Sequence, residues 1–373
     1  MQIVLREYSG IRGESANERS YSSNLREFTA LRASAMSADD MIGASHASRG
    51  IAESYRRLGQ LDKSEQEYKN AVQVFNSALD NGGAAWALFG LGNLLRQKSD
   101  FETAYAVLDR ALLFANECHD EGLVAYAVAS IAETRRIQGD YARAYGEHIR
   151  AQRLFAKMHD VRGAVWALEG IGQILRHLGQ LKEAASHFAQ AKRLAAAAGD
   201  VRGLAYALKC CAESLAANGE IFAAIDEIGL AIEMFDAIGL RVGLGYSYKA
   251  LGDILRRGGD HGSALLSYSL AMDVFEKISD ARGVAYTLNS IAGLYAGEGD
   301  GMSAASILSY SSPYFARKRI ALGYRESRKL FKRLIECGLI TGRDLKELRT
   351  SAADGVLPVN GCRRESLLIL RAA

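Results

Sequence analysis

A glycine returns at a fixed step of 40 residues along most of this chain: Gly59, Gly139, Gly179, Gly219, Gly259 and Gly299, with Ser99 in the remaining slot. Other columns keep the same phase. One is small: Ala52, Gly92, Ala132, Gly172, Ala212, Gly252, Ala292. A second runs Ser64, Ala104, Ala144, Ala184, Ala224, Ala264, Ala304, and a third Ala71, Ala111, Ala151, Ala191, Ala231, Ala271, Ser311. An acidic column reads Asp40, Asp80, Asp120, Asp160, Asp200 and Asp280, broken by Leu240. So many in-phase columns define a repeat array of seven units, beginning near residues 41, 81, 121, 161, 201, 241 and 281.

Each unit reads as two helices. In the fourth, Leu168, Ile171, Leu175 and Leu178 share one face of a helix over 164–178. Gly179 supplies a left-handed C-terminal position. A second helix over 182–198 turns Ala184, Phe188, Ala191 and Leu194 inward. The small columns fit close helix crossings, where a large side chain would push the pair apart. Asp160 and Asp200, each followed by Val-Arg-Gly, suit N-caps, where a carboxylate meets free N–H groups and the positive end of the helix dipole.

The spacing resembles the tetratricopeptide repeat, whose pattern places Trp, Leu, Gly, Tyr, Gly, Ala, Phe and Ala at fixed offsets. Leu168, Ile171, Gly172, Leu175, Gly179, Ala184, Phe188 and Ala191 occupy those offsets in repeat four. Repeat seven has Leu288, Ile291, Ala292, Tyr295, Gly299, Ala304 and Leu308 there. The usual closing Pro is missing, its slot holding Asn76, Asn116, Asp236 or Glu276, and the unit is longer than usual. Both departures match the long-helix subgroup found in spindle-orientation adaptors, kinesin light chains and bacterial scaffold arrays. The resemblance implies an all-α, right-handed superhelical solenoid of about seven helix-turn-helix repeats with capping helices. The expected divisions are an N-terminal segment and capping half-repeat over 1–40, repeats over 41–312, and a basic C-terminal cap and tail over 313–373. Phe28 lies one period before Tyr68 and belongs to the first of these. Pro313 is expected to end the array, with a basic helix from Tyr314 to Cys337, Gly338 as its C-cap and a short helix over 344–350.

In such a solenoid the first helix of each hairpin faces the concave side, and four columns fall on its exposed stripe. The first is aromatic: His46, Trp86, Tyr126, Trp166, Tyr206, Tyr246, Tyr286. The second is mixed: Arg49, Phe89, Ala129, Glu169, Lys209, Lys249, Asn289. The third is polar: Glu53, Asn93, Glu133, Gln173, Glu213, Asp253 and Gly293. The fourth is basic: Arg56, Arg96, Arg136, Arg176 and Arg256, interrupted by Ala216 and Ala296. Trp86, Asn93, Arg96, Tyr126, Glu133, Arg136, Trp166, Gln173, Arg176, Tyr206, Tyr246, Asp253 and Arg256 are the candidate peptide-binding residues. Amides pair with an extended backbone, and Arg forks carboxylates. Aromatics and Arg are favoured at binding hot spots. A second reading stands beside this one. Glu53–Arg56, Glu133–Arg136 and Asp253–Arg256 are spaced to satisfy each other, and the rings are large enough to pack between repeats.

The remaining features narrow the function class. No HxxxH, HExxH or CxxC spacing occurs, no phosphate loop is present, and no cofactor or metal is expected. Five cysteines give no disulfide framework, which fits a reducing compartment. No leader and no membrane span are expected at residues 1–7 or elsewhere, so the expected location is cytoplasmic. Residues 301–373 hold 14 Lys and Arg against 6 Asp and Glu, so the rest of the chain is net acidic although the total is +3. The expected function is a non-enzymatic scaffold binding a protein or peptide partner with acidic or carboxylate groups, not nucleic acid. A peptide-gated regulatory receptor and an enzyme with its site in the groove are the alternatives.

Overall fold

The computed structural model describes residues 21–341, 343 and 344. Among them are sixteen helices and no strands. They run α1 Tyr21–Ser37, α2 Met41–Arg57, α3 Leu61–Ser77, α4 Asn81–Gln97, α5 Phe101–Glu117 and α6 Glu121–Gln138. Next come α7 Tyr141–Lys157, α8 Val161–His177, α9 Leu181–Ala197, α10 Val201–Ala217 and α11 Ile221–Ala237. The last five are α12 Arg241–Arg257, α13 His261–Lys277, α14 Ala281–Gly297, α15 Gly301–Arg317 and α16 Ala321–Glu336. The even-numbered helices are the first helices of the hairpins, called A below, and the odd-numbered ones the second, called B.

The turns are made every 20 residues, at half the period of the glycine column. Each A-to-B turn places Gly59, Ser99, Gly139, Gly179, Gly219, Gly259 or Gly299 at positive φ. Each B-to-A turn places Asp39, Leu79, His119, His159, Gly199, Gly239, Ser279 or Arg319 there. The residue after each closes the helix with a backbone bond to the fifth carbonyl back, as Gln60 N–H does to Tyr55 and Asp80 N–H to Phe75, both at 2.9 Å. The acidic column then caps the next helix. Asp40, Asp80, Asp120, Asp160, Asp200 and Asp280 each accept from the backbone N–H three residues on, at 2.8–3.0 Å. Asp100, Asp140, Asp260 and Asp300 do the same for B helices. Because Asp160 is the cap, α8 starts at Val161, three residues before the sequence-based boundary.

Packing explains the small columns. A Cβ on Gly172 would lie 2.5 Å from the Phe188 ring, and one on Gly92 would lie 2.6 Å from Leu108. Rings on B helices also seat on glycines of the following A helix: Phe28 on Gly50, Tyr68 on Gly90, His148 on Gly170. A second set seats Phe75 on Gly83, Phe155 on Gly163, Phe235 on Gly243, Phe275 on Gly283 and Phe315 on Gly323. Where the Phe becomes Ala115, the glycine becomes Leu123, so the volume is restored from the other side.

Pro313 does not end the array. It lies on the exposed side of α15, which continues to Arg317 while Ser311, Tyr314 and Phe315 stay buried. The lost backbone bond therefore falls on the solvent face. The expected 314–337 helix is two elements, parted by Arg319 at φ 53°, and the boundary set at 312/313 falls inside a helix. α16 occupies the A position of an eighth repeat, burying Gly323, Ser327 and Leu334. Gly338 is at positive φ, as a C-cap requires, whereas most of the 344–350 helix lies outside the described residues.

The helices cluster into two compact units. One holds residues up to Arg136 and Asp140–Gly243, and the other Ile137–Gly139 and the chain from Leu244. Unit 1 closes on itself. The Tyr21 N–H donates to the Ile238 carbonyl at 3.5 Å. Arg57, at the end of α2, lies 5.9 Å over the Tyr21 ring and within electrostatic reach of Tyr206 on α10. The A helices of repeats one and five thus turn the same face toward each other, and that face lines the inside of unit 1.

Candidate functional site

The inner face of unit 1 is built from the four A-helix columns. Its rings rest on the core, Trp86, Tyr126, Trp166 and Tyr206 half-buried and His46 more exposed. His46 packs on Phe75, Tyr126 on Phe155 and Tyr206 on Phe235, all with centroids 4.8 Å apart. Ala115 and Ala195 replace that Phe in repeats two and four, and there the column carries Trp86 and Trp166, whose larger rings fill the space. Trp86, Tyr126 and Trp166 form a continuous ladder at 6.3 and 6.2 Å, with Phe89 against the first two. In unit 2, Tyr246 and Tyr286 rest on Phe275 and Phe315 in the same way.

The cap carboxylates hold this column. While one oxygen of Asp120 caps α6, the other accepts from the Trp86 Nε1–H at 2.9 Å. His46 lies 3.8 Å from Asp80, and the Tyr126 hydroxyl bonds to Asp160. His46, Trp86 and Tyr126 are thus each set against the cap 34 residues later.

The polar and basic columns are neutralised internally. Arg56 forks Glu53 at 2.6 and 2.8 Å, and Arg136 forks Glu133 at 2.6 and 2.7 Å. Burial pushes the Glu133 carboxyl up, but Arg136 and Arg96 outweigh it and hold the pKa at about 2. Arg176 pairs not with Gln173 but with Glu213 of the next repeat, which also takes Lys209 at 2.8 Å. The Asn93 amide bonds Phe89 O at 3.0 Å and accepts from Arg96 and Ser130, so it is occupied within the fold. Gln173 reaches only the Cys210 sulfur, at 3.8 Å. In unit 2, Asp253 takes Lys249 at 2.6 Å and the Tyr268 hydroxyl at 2.8 Å, with Arg256 4.0 Å away.

A rule links these columns to the core. The B-helix residue 15 positions after the polar column is Tyr68 under Glu53, Tyr268 under Asp253 and His148 under Glu133. Under Asn93 and Gln173 it is the apolar Leu108 and Phe188. Tyr68 donates to Glu53 and Tyr268 to Asp253, both at 2.8 Å, whereas Glu213 has the apolar Ile228 at that offset and is held by Arg176 and Lys209.

Two inner-face cations remain outside the ion pairs. Arg49 lies over Trp86 at 5.6 Å, where burial lowers its pKa while Tyr68 and Asp80 oppose the shift. Arg202 follows the Asp200 cap within electrostatic reach of Tyr206 and Glu169. It was missing from the candidate set, yet it stands four residues before Tyr206, as Arg162 does before Trp166, an offset that shares the helix face. Across unit 1 the inner-face cations are nearly balanced by Glu53, Glu133, Glu169, Glu213 and the cap carboxylates Asp80, Asp120, Asp160 and Asp200, so the local positive charge is that of Arg49 and Arg202.

Among the described residues no group of three or more His, Cys, Asp or Glu is placed to hold a metal ion, and no helix is long and apolar enough to cross a membrane. Cys118, Cys210, Cys211 and Cys337 are free thiols.

Comparison with known proteins follows the same lines. A tetratricopeptide-repeat family model matches residues 44–117. No curated protein matches the chain. A Rap protein complexed with Competence and Sporulation Factor is similar in structure, with TM-score 0.57 and 14% identity over 88% of this chain and 99% of that one. The apo form of RapI gives TM-score 0.53 and 14% identity over 74% and 99%. Aspartyl phosphate phosphatase F from Bacillus subtilis gives 0.47 and 14% over 85% and 91%. The matched hairpin recurs in phase through α15, so the described chain is an all-α array of tetratricopeptide-like hairpins.

Proposed function

We propose that this protein is a non-enzymatic interaction scaffold that binds a peptide segment of a partner along the inner face of unit 1. The observation carrying this reading is the half-exposed Trp86–Tyr126–Trp166 ladder with Arg49 over Trp86 and Arg202 within electrostatic reach of Tyr126. Rings supply contact area at low entropic cost, and Arg49 and Arg202 select acidic side chains or a carboxylate terminus. The complex of a similarly folded Rap protein with Competence and Sporulation Factor supports reading such an array as a receptor. A second reading, a peptide-gated regulator, draws on the return of α1 to Ile238: a ligand entering the inner face meets a closed unit.

Arg49 and Arg202 make the cleaner test, because replacing Arg136 or Arg176 would also take one of its two cations from Glu133 or Glu213. A fluorescence-polarisation screen of acidic and neutral peptides should find binders among the acidic members. Arg49→Ala/Arg202→Ala should weaken them about tenfold or more at unchanged helicity, the scale of one charge-assisted contact. Equal affinity for the double variant, or preference for neutral peptides, would remove the reading.

A further inference from the structure

At the junction of repeats four and five the ring-to-cap bond is missing. The Oδ1 of Asp200 caps α10 through the Gly203 N–H at 3.0 Å. Its Oδ2 is buried without a hydrogen-bond partner, and the residue is only 2% exposed. The Trp166 indole, which by the pattern of Trp86 should donate to it, does not. One turn along α8, Glu169 is 7% exposed and its Oε1 also lacks a partner. Two carboxyl groups, each more than nine-tenths buried, thus hold unused oxygens within electrostatic reach of one another. Both belong to unit 1, beside Trp166 on the inner face. Leaving such groups unpaired is costly, and the rings satisfy Asp120 and Asp160, whereas Asp280 Oδ2 is also buried without a partner; what sets Asp200 apart is the second unpaired carboxyl beside it.

We infer that Asp200 and Glu169, walled by Trp166, form a subsite for a primary carboxamide, the group of an Asn or Gln side chain or of an amidated chain end. The inference rests on the inner face being the ligand site. A carboxamide offers two N–H donors and one carbonyl acceptor on a planar group. Asp200 Oδ2 accepts one N–H. Glu169 accepts the other and, as the acid, donates its O–H to the amide carbonyl. Burial, reinforced by Asp200 and Glu133, raises the Glu169 pKa well above the carboxylate range, with Arg202 and Lys209 opposing. The shift favours the acid form. An ammonium ligand is disfavoured by those same two cations, and a carboxylate by the two acidic groups.

Trp86 and Trp166 are the two tryptophans of the chain, so Trp86→Phe leaves Trp166 emission as a local reporter. The probes are propionamide, propionate and propylammonium, titrated against the full-length Trp86→Phe protein. Propionamide alone should give a saturable change. Glu169→Gln keeps an amide able to pair with the probe and should retain the response. Glu169→Leu, with helicity checked by circular dichroism, should raise the half-saturation concentration about tenfold or more, as loss of a paired hydrogen-bonding group does. A saturable response to propylammonium or propionate instead, a propionamide response that survives Glu169→Leu, or no response to any probe would each overturn the assignment. Failure of acidic-peptide binding with the propionamide response intact would remove the scaffold reading and leave this subsite standing.

Discussion

His148 is a histidine in a hydrophobic slot. It is fully buried, both ring nitrogens lack partners, and its pKa is lowered to about 4. Burial is the main cause. Glu133 pulls the other way, and Arg136 and Arg96 cancel much of that pull. The unfolded value is near 6.5, so above that pH the ring is neutral in both states. As pH falls from 6.5 to about 4 the unfolded chain takes up a proton that the folded chain refuses, and stability is lost by about 3 kcal/mol. Glu133, held near 2, does not lose its stabilising role until pH drops below the ordinary carboxylate value. His148→Phe copies Phe188 of the next repeat and should lack this acid-sensitive part. Urea melts at pH 7 and pH 5 check it: the wild type should lose more stability than the variant. Equal losses would mean that His148 is protonated inside the fold.

The turns set what could be read from sequence at the level of elements. The 40-residue phase and the helix pairs were legible because the A-to-B turns use glycine and the crossings use small residues. The 20-residue phase was hidden, since the B-to-A turns put Leu79, His119, His159 and Arg319 into a conformation that glycine marks elsewhere. Pro313 misled because a proline reads as a breaker until the face it sits on is known. The site columns were legible as faces. Their ion pairs were not, because Arg176 with Glu213 and Trp86 with Asp120 join neighbouring repeats rather than neighbouring positions. Leu79 offers a direct test of the turn account. It is 87% exposed at φ 56°, so its side chain contributes little packing to offset the strain. Leu79→Gly should raise stability by up to about 1 kcal/mol, less the entropy that glycine adds to the unfolded chain. A lower melting temperature would show that the Leu79 side chain holds the turn.

At the scale of the whole molecule, stability in an array passes from each repeat to its neighbour. Ending the chain after Lys318 removes α16 and strips the cover from Phe315, which is fully buried against Gly323. Uncovering that ring alone costs about 1.5–3 kcal/mol. Hydrogen exchange should therefore quicken through residues 281–317 while residues 41–136 keep their protection. Uniform quickening across the chain would contradict nearest-neighbour coupling. The return of Tyr21 to Ile238 breaks the neighbour rule, and it bears on synthesis. Hairpins of such an array fold as they emerge, yet the residue that receives α1 is made about two hundred residues later. At about 5–20 residues per second on the ribosome that is a delay of about 10–40 s. For that interval Phe28 holds α1 on Gly50 of α2, but its first turn, waiting for Ile238, is open to any chaperone or protease that meets the nascent chain.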